Sequence, residues 1–218
     1  MRQVLFFTLS LTLLAPACRH SKPPAPAPVA SPRSIRLFDG KTLTGWQGDP
    51  AIWSVKDGAI DGNTQKGGFL LYTAGDYDDF RLIFKSRLVS EKNHLGVCFW
   101  GSREPNFGYG HCILVIPPDG GMWDYIINAT PKREKVAHEP PFDPHVWHTT
   151  EILAHRATGD VQVAVDGFQT TTYRDADPAR LKRGPIGLQL HGGASTVEYK
   201  DIEIEENPAE DRLITLTR

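Results

Sequence analysis

Histidine is the side chain whose ordinary pKa lies closest to neutrality, and among the eight histidines of this chain His111 and His191 are the candidates for a proton acceptor. His111 follows the glycine-rich run GSREPNFGYG, residues 101–110. Long loops on a rigid scaffold often carry function, and this one holds Arg103, a cation suited to a carbonyl or enolate oxygen. Trp100, Tyr109 and Trp123 offer flat apolar faces able to stack on a sugar ring, and Asp124 could orient a neighbouring histidine. In the stretch 185–191, Ile186, Leu188 and Leu190 alternate with Gly187, Gln189 and His191. On a strand, that alternation turns Gln189 and His191 away from the core. Their face is then either the floor of a groove shared with Trp100 and His111 or a solvated outer surface. Taken singly, each of these residues also reads as surface or core filler.

Three other patterns are weaker. Asp201, Glu203 and Glu205 alternate like the paired carboxylates that flank a glycosidic bond, but no aromatic groove residue is near them in sequence. His145 and His148 have metal-ligand spacing only on a helix; on a strand they point to opposite faces. The run Lys132–Lys135 reads as a solvated turn.

The elements that must position these residues are strands. Apolar and polar residues alternate with period two in segment after segment, separated by Gly, Pro and Asp turns, and helical periodicity is nearly absent. Val161, Val163 and Val165 share a face, and Asp166-Gly167 supplies a hairpin turn into Phe168. Phe80, Leu82, Phe84 and Leu88 oppose Arg81, Lys85 and Arg87. Further strands are predicted at 52–55, 69–72, 95–100, 112–116, 122–127, 147–154, 185–191 and 196–205, with one short helical turn at 177–181. The pattern predicts an all-β domain of two packed antiparallel sheets, with Trp46 and Trp53 in its core.

The ends and the charge bound the rest. Residues 1–17 form a basic start and a short apolar run, which predicts a signal peptide rather than a membrane span. The Ala15-Pro16-Ala17-Cys18 junction resembles a bacterial lipobox, so Cys18 is the expected lipidation site; cleavage to a soluble periplasmic or secreted product is the alternative. Residues 18–34, rich in Pro and Ala, read as a tether, and 35–218 as a single domain. The expected location is therefore the cell envelope, with membrane contact only through the lipid. A net charge of −2 with acids and bases interspersed leaves no basic stripe for nucleic acid. Of the remaining cysteines, strand parity turns Cys98 outward and places Cys112, Leu114 and Ile116 in a core row. That parity keeps the two thiols apart and free.

Blocks of sequence in a fixed order carry a resemblance. LFDGKTLTGW at 37–46, WSVKDGAI at 53–60, LLYT at 70–73 with YDDFRL at 77–82, and GPIGLQLHG at 184–192 with VEYKDIEI at 197–204 resemble the 3-keto-disaccharide hydrolase domain family. That resemblance implies a concanavalin A-like jelly-roll sandwich and activity on keto-modified glycosides. The middle of the chain departs from it: Trp100 stands near a family arginine, His111 near a glutamate and Ile113 near a glutamine. The implied chemistry is elimination from a 3-keto-glycoside, in which the C3 ketone acidifies the C2 proton and its removal expels the C1 substituent. Hydration then completes net hydrolysis. Such a site needs a base, an electrophile and a proton donor. The expected base is His111 or His191, the electrophile Arg103 or a divalent metal, and the donor Tyr109; Trp100, Trp123, Asp124 and Gln189 would hold the saccharide. A non-catalytic lectin-like module using the same groove is the alternative reading.

Overall fold

The computed structural model describes residues 34–103, 112–136 and 142–217, within the unit Ser31–Arg218. Cys18, Tyr109 and His111 lie outside the described residues. Two antiparallel sheets face each other. One contains β1 (Ile35–Arg36), β3 (Trp53–Lys56), β4 (Ala59–Thr64), β6 (Phe80–Leu88), β10 (Glu134–Lys135), β11 (His148–His155), β12 (Asp160–Val165), β13 (Phe168–Arg174) and β15 (Ser195–Glu206). Its order is β10-β13-β12-β11-β6-β15-β4-β3, with β1 also on β15. The other contains β2 (Trp46–Gln47), β5 (Gly68–Tyr77), β7 (Leu95–Phe99), β8 (Ile113–Ile116), β9 (Gly121–Asp124) and β14 (Gly184–Leu190), in the order β2-β5-β14-β7-β8-β9. This is the expected all-β sandwich of two antiparallel sheets, and the predicted turn near 177–181 is a single 3-10 turn, Pro178–Arg180.

The core follows the period-two pattern. Phe80, Leu82 and Phe84 of β6, Val161, Val163 and Val165 of β12, and Ile186, Leu188 and Leu190 of β14 meet in one cluster, joined by Trp46 and Trp53. Each such side chain contributes roughly 1.5–3 kcal/mol on burial. In β15 the phase changes: Val197 and Tyr199 are buried, then Ile202 and Ile204. The register shifts between Lys200 and Glu203, and Asp201 takes a left-handed φ of 50°. One extra residue there returns the apolar set to the core face.

Parity differs from the sequence expectation at two places. In β8 the core row is Ile113 and Val115, while Cys112 and Leu114 belong to a second cluster on the outer face of the six-stranded sheet. ILVI is apolar throughout, so nothing in its own sequence distinguishes its faces; pairing of Val97 with Val115 and of Phe99 with Ile113 decides it. Cys98 is on that same outer face. At the end of β7, Trp100 has a φ of 57° and follows Phe99 into the core instead of alternating outward. Its ring lies 5.0 Å from that of Phe99 and its indole N–H donates to the carbonyl of Asp78 at 2.7 Å.

Candidate functional site

The outer face of the six-stranded sheet carries a hollow of about 290 Å³. Leu114 and Ile116 from β8 line it, with Trp123 from β9, Tyr125 and Asn128 just beyond β9, and His94 and His191 on the other side. A second hollow of about 450 Å³ shares His94 and Ile116 and continues past Asn93, Asp119 and Phe142. Each is near the lower end of the range for small-ligand sites.

The two imidazoles are a cross-strand pair. β14 and β7 pair Leu190 with Leu95 and Gln189 with Gly96, so the next step brings His191 opposite His94. The backbone N–H of His191 reaches the carbonyl of His94 at 3.4 Å, and the ring centroids are 4.5 Å apart. Both sit where strands enter tight turns. Asn93 adopts a φ of 78° and its amide donates to the carbonyl of Gly193 at 2.7 Å, tying the two loops together. A side chain at Gly67 would meet the backbone of Gly192 at 2.9 Å, so glycine there lets the neighbouring loop close over the end of β14.

Burial, and then the neighbouring His191, lowers the pKa of His94 to about 4. His94 is therefore neutral at pH 7. The Nδ1 of exposed His191 lies 2.8 Å from the carbonyl of Gly192. A carbonyl only accepts, so Nδ1 carries a proton, and in the neutral tautomer this leaves Nε2 as the proton acceptor.

Beneath the pair the sheet is tied to the core by hydrogen bonds. Tyr199 of β15 crosses the core, and its hydroxyl accepts the N–H of Gly96 at 3.1 Å and lies 2.7 Å from the carbonyl of Gln189. Gln189 shares the outer face with His191 but is only 3% exposed. Its Oε1 has no hydrogen-bond partner among the described residues and lies beside Leu114 over Gly96. A buried acceptor left unmet costs about 1–3 kcal/mol, and such groups often mark a ligand or water position. Trp123 and Tyr125 pack edge to face at 6.4 Å, giving the hollow an aromatic wall.

The structure thus brings His191, Trp123 and Gln189 to one face and adds His94, Tyr125 and Asn128. Three other residues lie elsewhere. Trp100 is fully buried between the sheets, because its left-handed backbone breaks the alternation expected to expose it. Asp124 points inward with Met122 and is fully buried, and it accepts from Arg180 at 3.1 Å rather than orienting a histidine. Its Oδ1 also accepts the N–H of Ile126 at 2.8 Å, which ends β9 before the predicted 127. Arg103 is held at the far end of β5 by the Asp76 carboxylate at 2.9 Å and by the carbonyls of Thr73 and Gly75. The end of β14 beside His191 pairs with Gly68, so at ~3.3 Å per residue Thr73 is roughly 17 Å further along that strand. Among the described residues no three His, Cys, Asp or Glu side chains gather to hold a metal ion.

His94 was legible in principle. It falls in phase with Gly96 and Cys98, opposite the core row Leu95, Val97 and Phe99, so parity turns it outward. Tyr125 and Asn128 follow the turn made by Asp124, where no periodicity operates.

The sequence profile of a family described as "3-keto-alpha-glucoside-1,2-lyase-like domain" matches residues 33–205. No curated protein matches the chain in sequence. Similar solved structures include two candidate glycosyl hydrolases from Parabacteroides distasonis. The first is 18% identical, with a TM-score of 0.59 over 79% of this chain and 93% of that one. The second is 16% identical, with a TM-score of 0.61 over 80% and 99%. The carbohydrate-binding module CBM66 from Bacillus subtilis is 12% identical, with a TM-score of 0.58 over 74% and 96%. At these identities the likeness is one of fold.

Proposed function

The chain belongs to the 3-keto-α-glucoside-1,2-lyase-like domain family, and from that premise we propose that it cleaves 3-keto-glycosides in the hollow between His94, His191 and Trp123. The observation that carries this reading is the imidazole pair, the His94 ring neutral and the His191 ring with its Nδ1 turned to the Gly192 carbonyl, set against an aromatic wall on the outer sheet face. The aromatic rings take the apolar face of the sugar. Nε2 of His191 accepts the proton from C2. The C–H electron pair becomes the C1–C2 double bond, and the C1–O bond breaks toward the departing alcohol, which takes a proton as it leaves. Addition of water to the unsaturated ketone completes hydrolysis. Gln189 lies behind Leu114 rather than on the lining of the hollow, so its unmet acceptor serves the wall of the site and is given no direct contact with the sugar. His111 and Tyr109 remain candidates for second base and proton donor. Arg103, committed to Asp76 on the far end of β5, is not assigned a role. The same proposal includes export by residues 1–17 and anchoring through lipidated Cys18, with 18–34 as a tether.

The apolar floor of Leu114 and Ile116 supports a second reading, a lectin-like binder that stacks saccharides without cleaving them. Incubation with 3-keto-trehalose or a 3-keto-glucoside separates the two. Free sugar or an unsaturated ketone must appear, and alanine at both His94 and His191 must abolish it. Saturable binding with no product would establish the binder, and unchanged turnover in the double variant would move the chemistry away from this pair.

A further inference from the structure

Cys98 near the end of β7 and Cys112 just before β8 are on the outer face of the six-stranded sheet, in one cluster with Leu71 and Leu114. Register pairs Cys98 with Leu114, so Cys112 is its diagonal neighbour on the adjacent strand. Diagonal neighbours on one face of a sheet lie within side-chain reach. The two sulfurs approach to 2.7 Å, and both residues are fully buried. The chain has three cysteines in all, so within the sandwich each of these has only the other as a partner.

We infer that Cys98 and Cys112 become joined by a disulfide when the chain folds in the presence of a disulfide oxidant. Two thiols lose two protons and two electrons as the S–S bond forms, and a small disulfide such as oxidised glutathione is reduced to two thiols, through a mixed disulfide on one cysteine. Timing follows from burial. Exchange needs a thiolate open to attack, whereas in the closed fold both sulfurs are covered and burial pushes the Cys98 thiol well up. The bond therefore forms before the outer face closes, and once formed it resists reduction.

The ring so closed spans 15 residues, from Cys98 to Cys112. It contains Trp100, Arg103, Tyr109 and His111, so the bond ties both ends of the segment bearing two candidate site residues to neighbouring strands under the hollow. It holds whether or not that hollow is catalytic.

The test uses the full chain, unfolded and refolded with a mixture of oxidised and reduced glutathione, then denatured and treated with iodoacetamide. Non-reducing digestion is expected to yield one linked peptide pair containing Cys98 and Cys112, abolished by dithiothreitol, with only Cys18 alkylated. Reduction is expected to lower the Tm by roughly 6–12 °C, the shift that a ring of this length implies for a domain of this size. The double variant Cys98→Ala/Cys112→Ala should show no dependence of Tm on dithiothreitol. Alkylation of both Cys98 and Cys112 in the oxidised sample would overturn the inference, as would a link to Cys18 in their place. Peptide mapping of the native sequence distinguishes these outcomes even if the double variant fails to fold.

Discussion

The outer face of the nine-stranded sheet carries Arg81, Lys85 and Arg87 on β6 against Glu198, Asp201 and Glu205 on β15, whereas that of the six-stranded sheet carries Leu71, Leu114, Trp123 and two histidines. On the first face the protein answers its own charges. Arg81 pairs with Glu151 at 2.9 Å and donates to the carbonyls of Glu210 and Arg212, while Glu151 accepts the N–H groups of Ile214 and Thr215. The C-terminal segment is thereby laid over the sheet, and its backbone groups are satisfied by a buried ion pair. On the second face Gln189 keeps an unmet acceptor beneath Leu114, whose side chain lines the open hollow. The contrast teaches where to look for a ligand: a polar group that the fold saturates serves the fold, and one left unmet behind a cavity wall marks the face to search.

Substitutions on the two faces can break this contrast. His191→Ala is expected to lower kcat on a 3-keto-glycoside by about 10²–10⁴-fold, the usual worth of a positioned base. Its unfolding free energy should change by no more than ~0.5 kcal/mol, because the ring is exposed. A large loss of stability with kcat unaltered would reverse the assignment of the faces. Arg81→Ala leaves Glu151 buried without its partner, so urea unfolding should show a loss of about 3–5 kcal/mol. Turnover per folded molecule should stay at the native level; a fall there would mean that the two faces are coupled.

A pH series sharpens the comparison at a smaller scale. His94 is held near pKa 4 in the fold against an ordinary value of 6.5, so between those values the unfolded chain binds the extra proton. Stability therefore rises as pH increases from about 4 to 6.5 and is fully present above that window. With the half-buried ring screened by solvent, the difference is of order 1 kcal/mol. His94→Gln should remove this part of the pH dependence, which equilibrium unfolding across the window would show. The smallest effect belongs to the exposed pair Lys85–Asp201, 2.9 Å apart. Lys85→Ala should shift unfolding by less than about 1 kcal/mol, and less still at high salt.

Sequence alone determined the class of fold and most strand positions, because alternation in β6, β12 and β14 forces one face of each into a core. It also placed Gln189 and His191 on the outward face, since the glycine-rich strand alternates cleanly from Ile186 onward. It had no means to orient β8, where four consecutive apolar residues suit either face, and so the two cysteines were set apart when they in fact adjoin. Periodicity could not foresee that a left-handed backbone would carry Trp100 inward; for Asp124, alternation against outward Trp123 gives the inward face, and only the fold supplies Arg180 as its partner. The pairing of His94 with His191 joins residues 97 positions apart in the chain. Only the register between β7 and β14 brings their rings together, because strand periodicity says which way a side chain points and never which distant side chain it will meet.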